Sequence, residues 1–150
     1  MKSLVLFSLV IFSTVNLWSM PMDGIVDFQG KAADFKTEKN QELVVFWATW
    51  CSTCKAKLQK DLPELVKKGQ VEVITVNVDE DVERARHEID DLKVTLPVLR
   101  DPNKVLRKKL GVRVIPHWAV YRRENKTDWK LVASAPAFEW ADVQKALSQK

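Results

Sequence analysis

The sequence predicts an α/β fold, a central mixed sheet flanked by helices, on three observations. Apolar runs rich in β-branched residues alternate with amphipathic helical patterns along the chain. The first two such runs are separated by a helix, which makes them parallel neighbours joined by a right-handed crossover. The last two are separated only by the polar "ENKTD", which makes them an antiparallel hairpin. A chain of 150 residues has room for one domain with a proper core.

The elements follow in order. Residues 1–19 read as a secretory signal: Lys2, an apolar run from Leu4 to Phe12, then a more polar end. Cleavage is expected after Ser19, although Leu17 and Ser19 match the small-x-small rule imperfectly. An uncleaved anchor is the rival, since Val15, Leu17 and Trp18 lengthen the apolar stretch. The remaining domain, 20–150, is then exported, where the surroundings are usually oxidising. Residues 20–41 read as irregular, with "IVDFQG" a short strand or hairpin arm. "ELVVFWA" is a nearly continuous apolar run and reads as a strand buried on both faces. From Ser52 to Lys68 a stripe of Leu58, Leu62, Leu65 and Val66 marks a helix. Pro63 within it predicts a kink or break, and Gly69 a stop. "VEVITVNVD" is the second strand. Val82, Ala85, Ile89 and Leu92 mark the next helix. "TLPVLRD" is a short strand that Pro97 assigns to an edge or a start. "NKVLRKKLG" is a short helix closed by Gly111. "PHWAVYRR" and "WKLVAS" form the hairpin, and Trp140, Val143, Ala146 and Leu147 a final helix. The order is βα βα βα ββα.

Net charge is only +4, and the cations are scattered among acids, as in "EDVERARHEIDD". No Lys/Arg block is interleaved with stacking aromatics, so no nucleic-acid partner is expected. There is no internal repeat or low-complexity tract, and a monomer is expected.

Cys51 and Cys54 are the only cysteines. Such a pair can be a redox couple, a metal clamp or a structural staple. It stands at the junction of the buried strand and the first helix, where two cysteines three apart reach disulfide distance. Unpaired N–H groups and the helix dipole favour an anion at Cys51, and such a site lowers a thiol pKa from about 8.5. Cys54, one turn inside, is covered. That asymmetry supplies an attacking thiolate and a resolving thiol. Zinc needs four ligands, and beyond the two cysteines there are only His117 and His87, the latter on a polar helix face. A staple across three residues restricts the unfolded chain little. The redox couple is the favoured reading, with no metal and no cofactor.

The segment "FWATWCSTC" after "LVV" resembles the active site of the thioredoxin superfamily, and more closely its exported TlpA/ResA-like branch, which often reads "FWATWCxPC". "VEVITVNVDED" and "LPVLRDPNKVLRKKLGVRVIP" resemble later segments of that branch, and the helix and strand between Asp81 and Asp101 resemble its insertion. The resemblance implies a thioredoxin-like fold and a thiol–disulfide oxidoreductase. It makes Pro116 a cis-proline against the cysteines, leaving the backbone of Ile115 open to pair with a substrate strand. Trp50 would join the docking surface and Trp47 the core. It further implies a periplasmic reductase of protein thiol and disulfide substrates, apocytochrome c among them, recharged by a membrane electron donor or acceptor.

The chain also departs from that pattern. Val45 stands where thioredoxin has a buried Asp, Lys57 where the branch has a Glu, and Thr53 where it has a Pro. Two of these changes remove a carboxylate able to move a proton at Cys54. Asp61 of "DLP" is a displaced counterpart only if a helical turn was inserted, and it would then lie about 6 Å further along the axis, too far for proton transfer unless water bridges. Lys57, with Lys55, and the hydroxyls of Ser52 and Thr53 would favour a Cys51 thiolate and make the couple more oxidising. His117 would tune exchange near neutrality, or bind copper with the cysteines, or simply face solvent. A copper-binding protein of the same fold and a disulfide donor are the alternative functions.

Overall fold

Five strands make one mixed sheet: β3 (Gln41–Trp47), β4 (Glu72–Asn77), β5 (Val98–Arg100), β6 (His117–Arg123) and β7 (Trp129–Pro136). Their spatial order is β5-β4-β3-β6-β7. The structure is a computed structural model and describes residues 18–19, 22–34, 36–69, 71–126 and 128–149. Of the expected signal, all but the last two residues lie outside the described residues. Those two form β1 (Trp18–Ser19), paired antiparallel with β2 (Lys36–Thr37). Among the described residues, no helix is long and apolar enough to cross a membrane.

β3 is central because it is apolar on both faces. It pairs in parallel with β4, and β4 with β5, while β6 and β7 run antiparallel to it. β5 stands at the edge, as Pro97 requires. Alternation along the strands makes two cores. One holds Val45, Trp47, Val73, Trp118 and Val120 together with Cys51, Cys54, Leu58 and Leu62. The other holds Val44, Phe46, Ile74, Val76, Ala119 and Tyr121. The expected strand at "IVDFQG" reduces to Val26, bridged to Ala32 and Arg100.

The helices are α1 (Ser52–Ala56) and α2 (Leu62–Lys67), joined by a π-helical turn at Lys57–Asp61, then α3 (Val82–Asp91), α4 (Val105–Lys109) and α5 (Trp140–Ser148). The break expected at Pro63 is instead a widened turn just before it. Pro63 has no N–H to give the carbonyl of Gln59, and its ring would strike that oxygen. One extra residue in the preceding turn relieves both, and the Leu62 N–H accordingly reaches back to the Lys57 carbonyl. Leu58, Leu62 and Leu65 stay in the core, whereas Val66, expected in the stripe, is exposed. Gly69 ends the helix at φ +71°, a conformation costly for a residue with a Cβ. α2 and α5 lie on the cysteine face, where Leu65, Val143 and Ala146 are buried. α4 covers the opposite core through Leu106.

Candidate active site

β3 delivers the chain to the site at Trp47, and a tight turn through Ala48, Thr49 and Trp50 leads into α1. The Cys51 N–H closes that turn by donating to the Ala48 carbonyl at 3.1 Å. Cys51 then caps α1 with its own sulfur, which accepts the Cys54 N–H at 3.2 Å. The Thr53 hydroxyl lies 3.5 Å from the same sulfur. Cys51 and Cys54 are joined by a disulfide, with 5.3 Å between their Cα atoms. Cys51 is 7% exposed and Cys54 1%. Only Cys51 is reachable, and when the bond opens its thiolate already faces an N–H donor at a helix start.

β6 runs antiparallel beside β3, with His117 opposite Phe46, so Pro116 arrives at the same end of the sheet as Cys51. The Ile115–Pro116 peptide bond is cis. The Ile115 side chain packs against the core that contains both cysteines. Its backbone N–H and carbonyl have no hydrogen-bond partner among the described residues. The Pro116 carbonyl, by contrast, accepts the Ala137 N–H at 2.9 Å. Trp50 is 66% exposed and Val114 62%, so two large apolar side chains stand uncovered beside the sulfur and the unpaired backbone. Trp47 is fully buried in the core.

The expected tuning residues separate. Thr53 reaches the Cys51 sulfur. Ser52 is exposed and forms no side-chain hydrogen bond among the described residues. Lys57 does not stand as a free charge at the sulfur: its Nζ pairs with Asp61 at 2.7 Å and lies 5.4 Å from the centre of the Phe138 ring. The two are four residues apart on one helical face, so Asp61 serves as a partner for Lys57. Lys55 is likewise engaged, by Glu88 of α3 at 2.5 Å.

His117 corrects the expectation of a solvent-facing residue: it is buried. Trp118 and Val120 take the cysteine face of β6, so strand alternation turns His117 to the other, with Ala119 and Tyr121. There it is buried, edge-on to Phe46, with Nε2 2.8 Å from the Ser134 hydroxyl. Burial lowers its pKa and holds the ring neutral. The copper set imagined from Cys51, Cys54 and His117 is therefore not assembled. Among the described residues no group of three or more His, Cys, Asp or Glu side chains is arranged for a metal.

Two residues escaped the sequence reading. Asp79, just past β4, clamps the turn before Cys51. Its carboxylate accepts the Thr49 N–H at 2.8 Å and the Thr49 hydroxyl at 2.9 Å. Asn77 donates to the same carboxylate at 2.7 Å and accepts the Asp79 N–H at 3.1 Å. The only trace in the sequence is an acid ending "VEVITVNVD", where ligand-facing groups gather at strand ends. The other is Glu42, the acid that opens the apolar run of β3. It is fully buried, and neither carboxylate oxygen has a hydrogen-bond partner among the described residues. Burial foremost, then the neighbouring Glu72, push its pKa up to about 8, against a lowering by Arg123. Strand alternation sets it on the Phe46 face, away from the cysteines.

Residues 20–146 match the family model described as Redoxin. The chain is similar to the thiol:disulfide interchange protein DsbE of Vibrio cholerae, with 31% identity across 81% of this chain and 66% of that protein. It is also similar to the thiol-disulfide oxidoreductase ResA of Oceanobacillus iheyensis, with 33% identity across 47% of this chain and 38% of the relative. The chain thus spans just under two thirds of the one relative and well under half of the other. In three dimensions it resembles the exposed lipoprotein thioredoxin Etrx1 of Streptococcus pneumoniae. That match has a TM-score of 0.65, 28% identity, and covers 82% of this chain and 95% of the other. The fold is thioredoxin-like.

Proposed function

Because the chain belongs to the Redoxin family, we propose that it is an exported thiol–disulfide oxidoreductase that reduces protein disulfides as a monomer. The observation that carries this reading is the pairing of one reachable sulfur, on a helix start, with an unpaired backbone segment at Ile115 just before β6. A client segment adds to that backbone as a short strand, and Trp50, Val114 and Pro116 hold its flanks.

In the reduced protein the Cys51 thiolate attacks one sulfur of the client disulfide. A Cys51–client bond forms, and the other client sulfur leaves as a thiolate. Cys54, as a thiolate, then attacks the Cys51 sulfur. The 51–54 disulfide forms and the second client thiolate departs. Two electrons have passed to the client, and a dithiol donor, expected in the membrane, must return them. With Val45 beneath the cysteines, no carboxylate stands at that position to take the Cys54 proton, and the departing client thiolate serves as the base. Similarity to proteins named DsbE and ResA supports exchange with protein thiols, and the apolar segment in residues 1–19 supports export.

The direction of exchange has a second reading. The Cys54 N–H and the Thr53 hydroxyl both stabilise a Cys51 thiolate, and a more stable thiolate raises the reduction potential. Lys57 adds little, because Asp61 engages it. Equilibration with glutathione buffers separates the two: a strongly reducing midpoint supports the reductase, and a midpoint near the glutathione couple supports a disulfide donor.

The functional reading is tested by trapping. The full chain carrying Cys54→Ser should accumulate Cys51-linked mixed disulfides with exported proteins. Capture by Cys51→Ser, with none by Cys54→Ser, would reverse the two roles.

A further inference from the structure

Charge is distributed unevenly around the site. The lysines nearest the cysteines are neutralised, Lys55 by Glu88 and Lys57 by Asp61. On the other flank, the chain from Pro102 to Tyr121 carries Lys104, Arg107, Lys108, Lys109 and Arg113 and no Asp or Glu. This run contains α4, the loop after it and the cis-proline. The scatter of charges seen across the whole sequence does not hold here. The fold gathers four of these cations, Lys104, Arg107, Lys108 and Arg113, around one surface depression of about 310 Å³.

The acids nearest this depression do not cancel it. The Asp101 carboxylate accepts the backbone N–H groups of Val105 and Arg107, each at 2.8 Å, and is only 3.9 Å from Arg107 Nε. Glu80 stands 3.7 Å from Lys104 in an exposed pair, where solvent screens the attraction. Lys108, Lys109 and Arg113 form no ion pair among the described residues, and all three are exposed.

We propose that this basic surface selects clients whose reactive cysteine is flanked by acidic residues. The inference rests on the exchange chemistry proposed above and names its substrate class. Arg113 is three residues before Pro116, so its backbone lies within about 10 Å of the cis-proline. Like Ile115, Val114 and Arg113 have no backbone hydrogen-bond partner among the described residues. A client strand that pairs at Ile115 therefore continues along Val114 to Arg113. At about 3.3 Å per residue, an Asp or Glu two to four positions from the paired residue comes beside Arg113, with Lys108 beyond it. Such complementarity speeds encounter and sets register more than it adds affinity. An anionic membrane is the less favoured occupant. Bound flat across Val114 and Arg113, it would cover the strand edge and the Cys51 sulfur that a client needs.

The test uses the reduced full chain and two disulfide-linked peptides of equal length. One has Asp and Glu flanking its cystine, and the other has Ser and Gln. The kcat/KM for the acidic peptide should exceed that for the neutral one by about tenfold at low ionic strength and fall toward parity at high salt. The double substitution Lys108→Glu with Arg113→Glu should invert the ratio, and Arg113→Gln alone should reduce it. Equal rates at low salt, or a preference that survives charge reversal, would overturn the proposal. So would sedimentation with phosphatidylglycerol vesicles that is lost on charge reversal while the peptides go undiscriminated; that result assigns the patch to membrane. Failure to reduce either peptide, or a small aromatic disulfide, would refute the exchange chemistry itself, a result distinct from reduction without preference.

Discussion

The two faces of β3 treat ionisable groups in opposite ways. On the cysteine face, Val45 and Trp47 lead up to Cys51 through apolar packing. On the other face the same strand opens with Glu42, a fully buried carboxyl held neutral up to about pH 8, and its neighbour β6 begins with a buried neutral His117. The sheet thus does carry a buried acid, but an odd-numbered position would be needed to aim it at the cysteines. Because successive strand residues point to opposite faces, a carboxylate at position 42 is no substitute for one at 45. In the proposed exchange, proton movement at Cys54 then runs through the client or solvent, while the buried titratable groups act on stability.

Replacing Glu42 should produce the largest change. Its folded pKa, about 8, lies above the ordinary 4.5, so the neutral carboxyl favours the folded state. That contribution is fully present below the ordinary value and is lost as pH rises through about 8. The loss is on the order of 5 kcal/mol if the whole shift is expressed. Urea unfolding of Glu42→Gln should lack this decline and exceed the wild type above pH 8. His117 has the opposite sign: its folded pKa is depressed, so its contribution is present above about 6.5 and lost as pH falls through the folded value. That acid limb should remain in Glu42→Gln. Equal pH slopes for variant and wild type would show that Glu42 does not titrate as described.

Moving the acid to the other face comes next. Val45→Asp buries a carboxyl beneath the cysteines and should cost about 3 kcal/mol by urea unfolding. In return the pH profile of Cys54 attack should gain a second inflection, absent from the wild type. If single-turnover resolution keeps one inflection, the apolar face is not what deprives Cys54 of a base.

The smallest effect is expected from Thr53→Val. It removes the hydroxyl 3.5 Å from the Cys51 sulfur and leaves the Cys54 N–H in place. The redox midpoint should fall by about 10 mV, a few tenths of a kcal/mol in the two-electron couple. A larger fall would rank the hydroxyl above the helix start as the source of thiolate stability.

These contrasts also mark what a sequence can disclose. Alternating strand and helix patterns, Pro97 at an edge and Gly69 at a helix end are local signals, and each names its element. The CxxC pair is local as well, and its place between a buried strand and a helix follows from the same patterns. The groups that decide the chemistry around it depend on register and on distant partners. Whether His117 meets the cysteines turns on which face Trp118 takes, and that is settled only when β6 pairs with β3. Asp79 acts across 30 residues of sequence on Thr49. Lys57 looks like a free charge only if the i,i+4 spacing to Asp61 is overlooked, since that spacing pairs them on one helix face. The basic run from Lys104 to Arg113 is legible in the sequence once the whole-chain charge is set aside, but that four of its cations line one depression is settled only by the fold.

The most direct test of the account is the pH dependence of alkylation in the reduced protein, with the modified residue identified by mass spectrometry. Cys51 should react first, with a midpoint well below the free-thiol value of about 8.5, while Cys54 stays protected. Preferential labelling of Cys54, or a Cys51 midpoint at or above the free-thiol value, would contradict it.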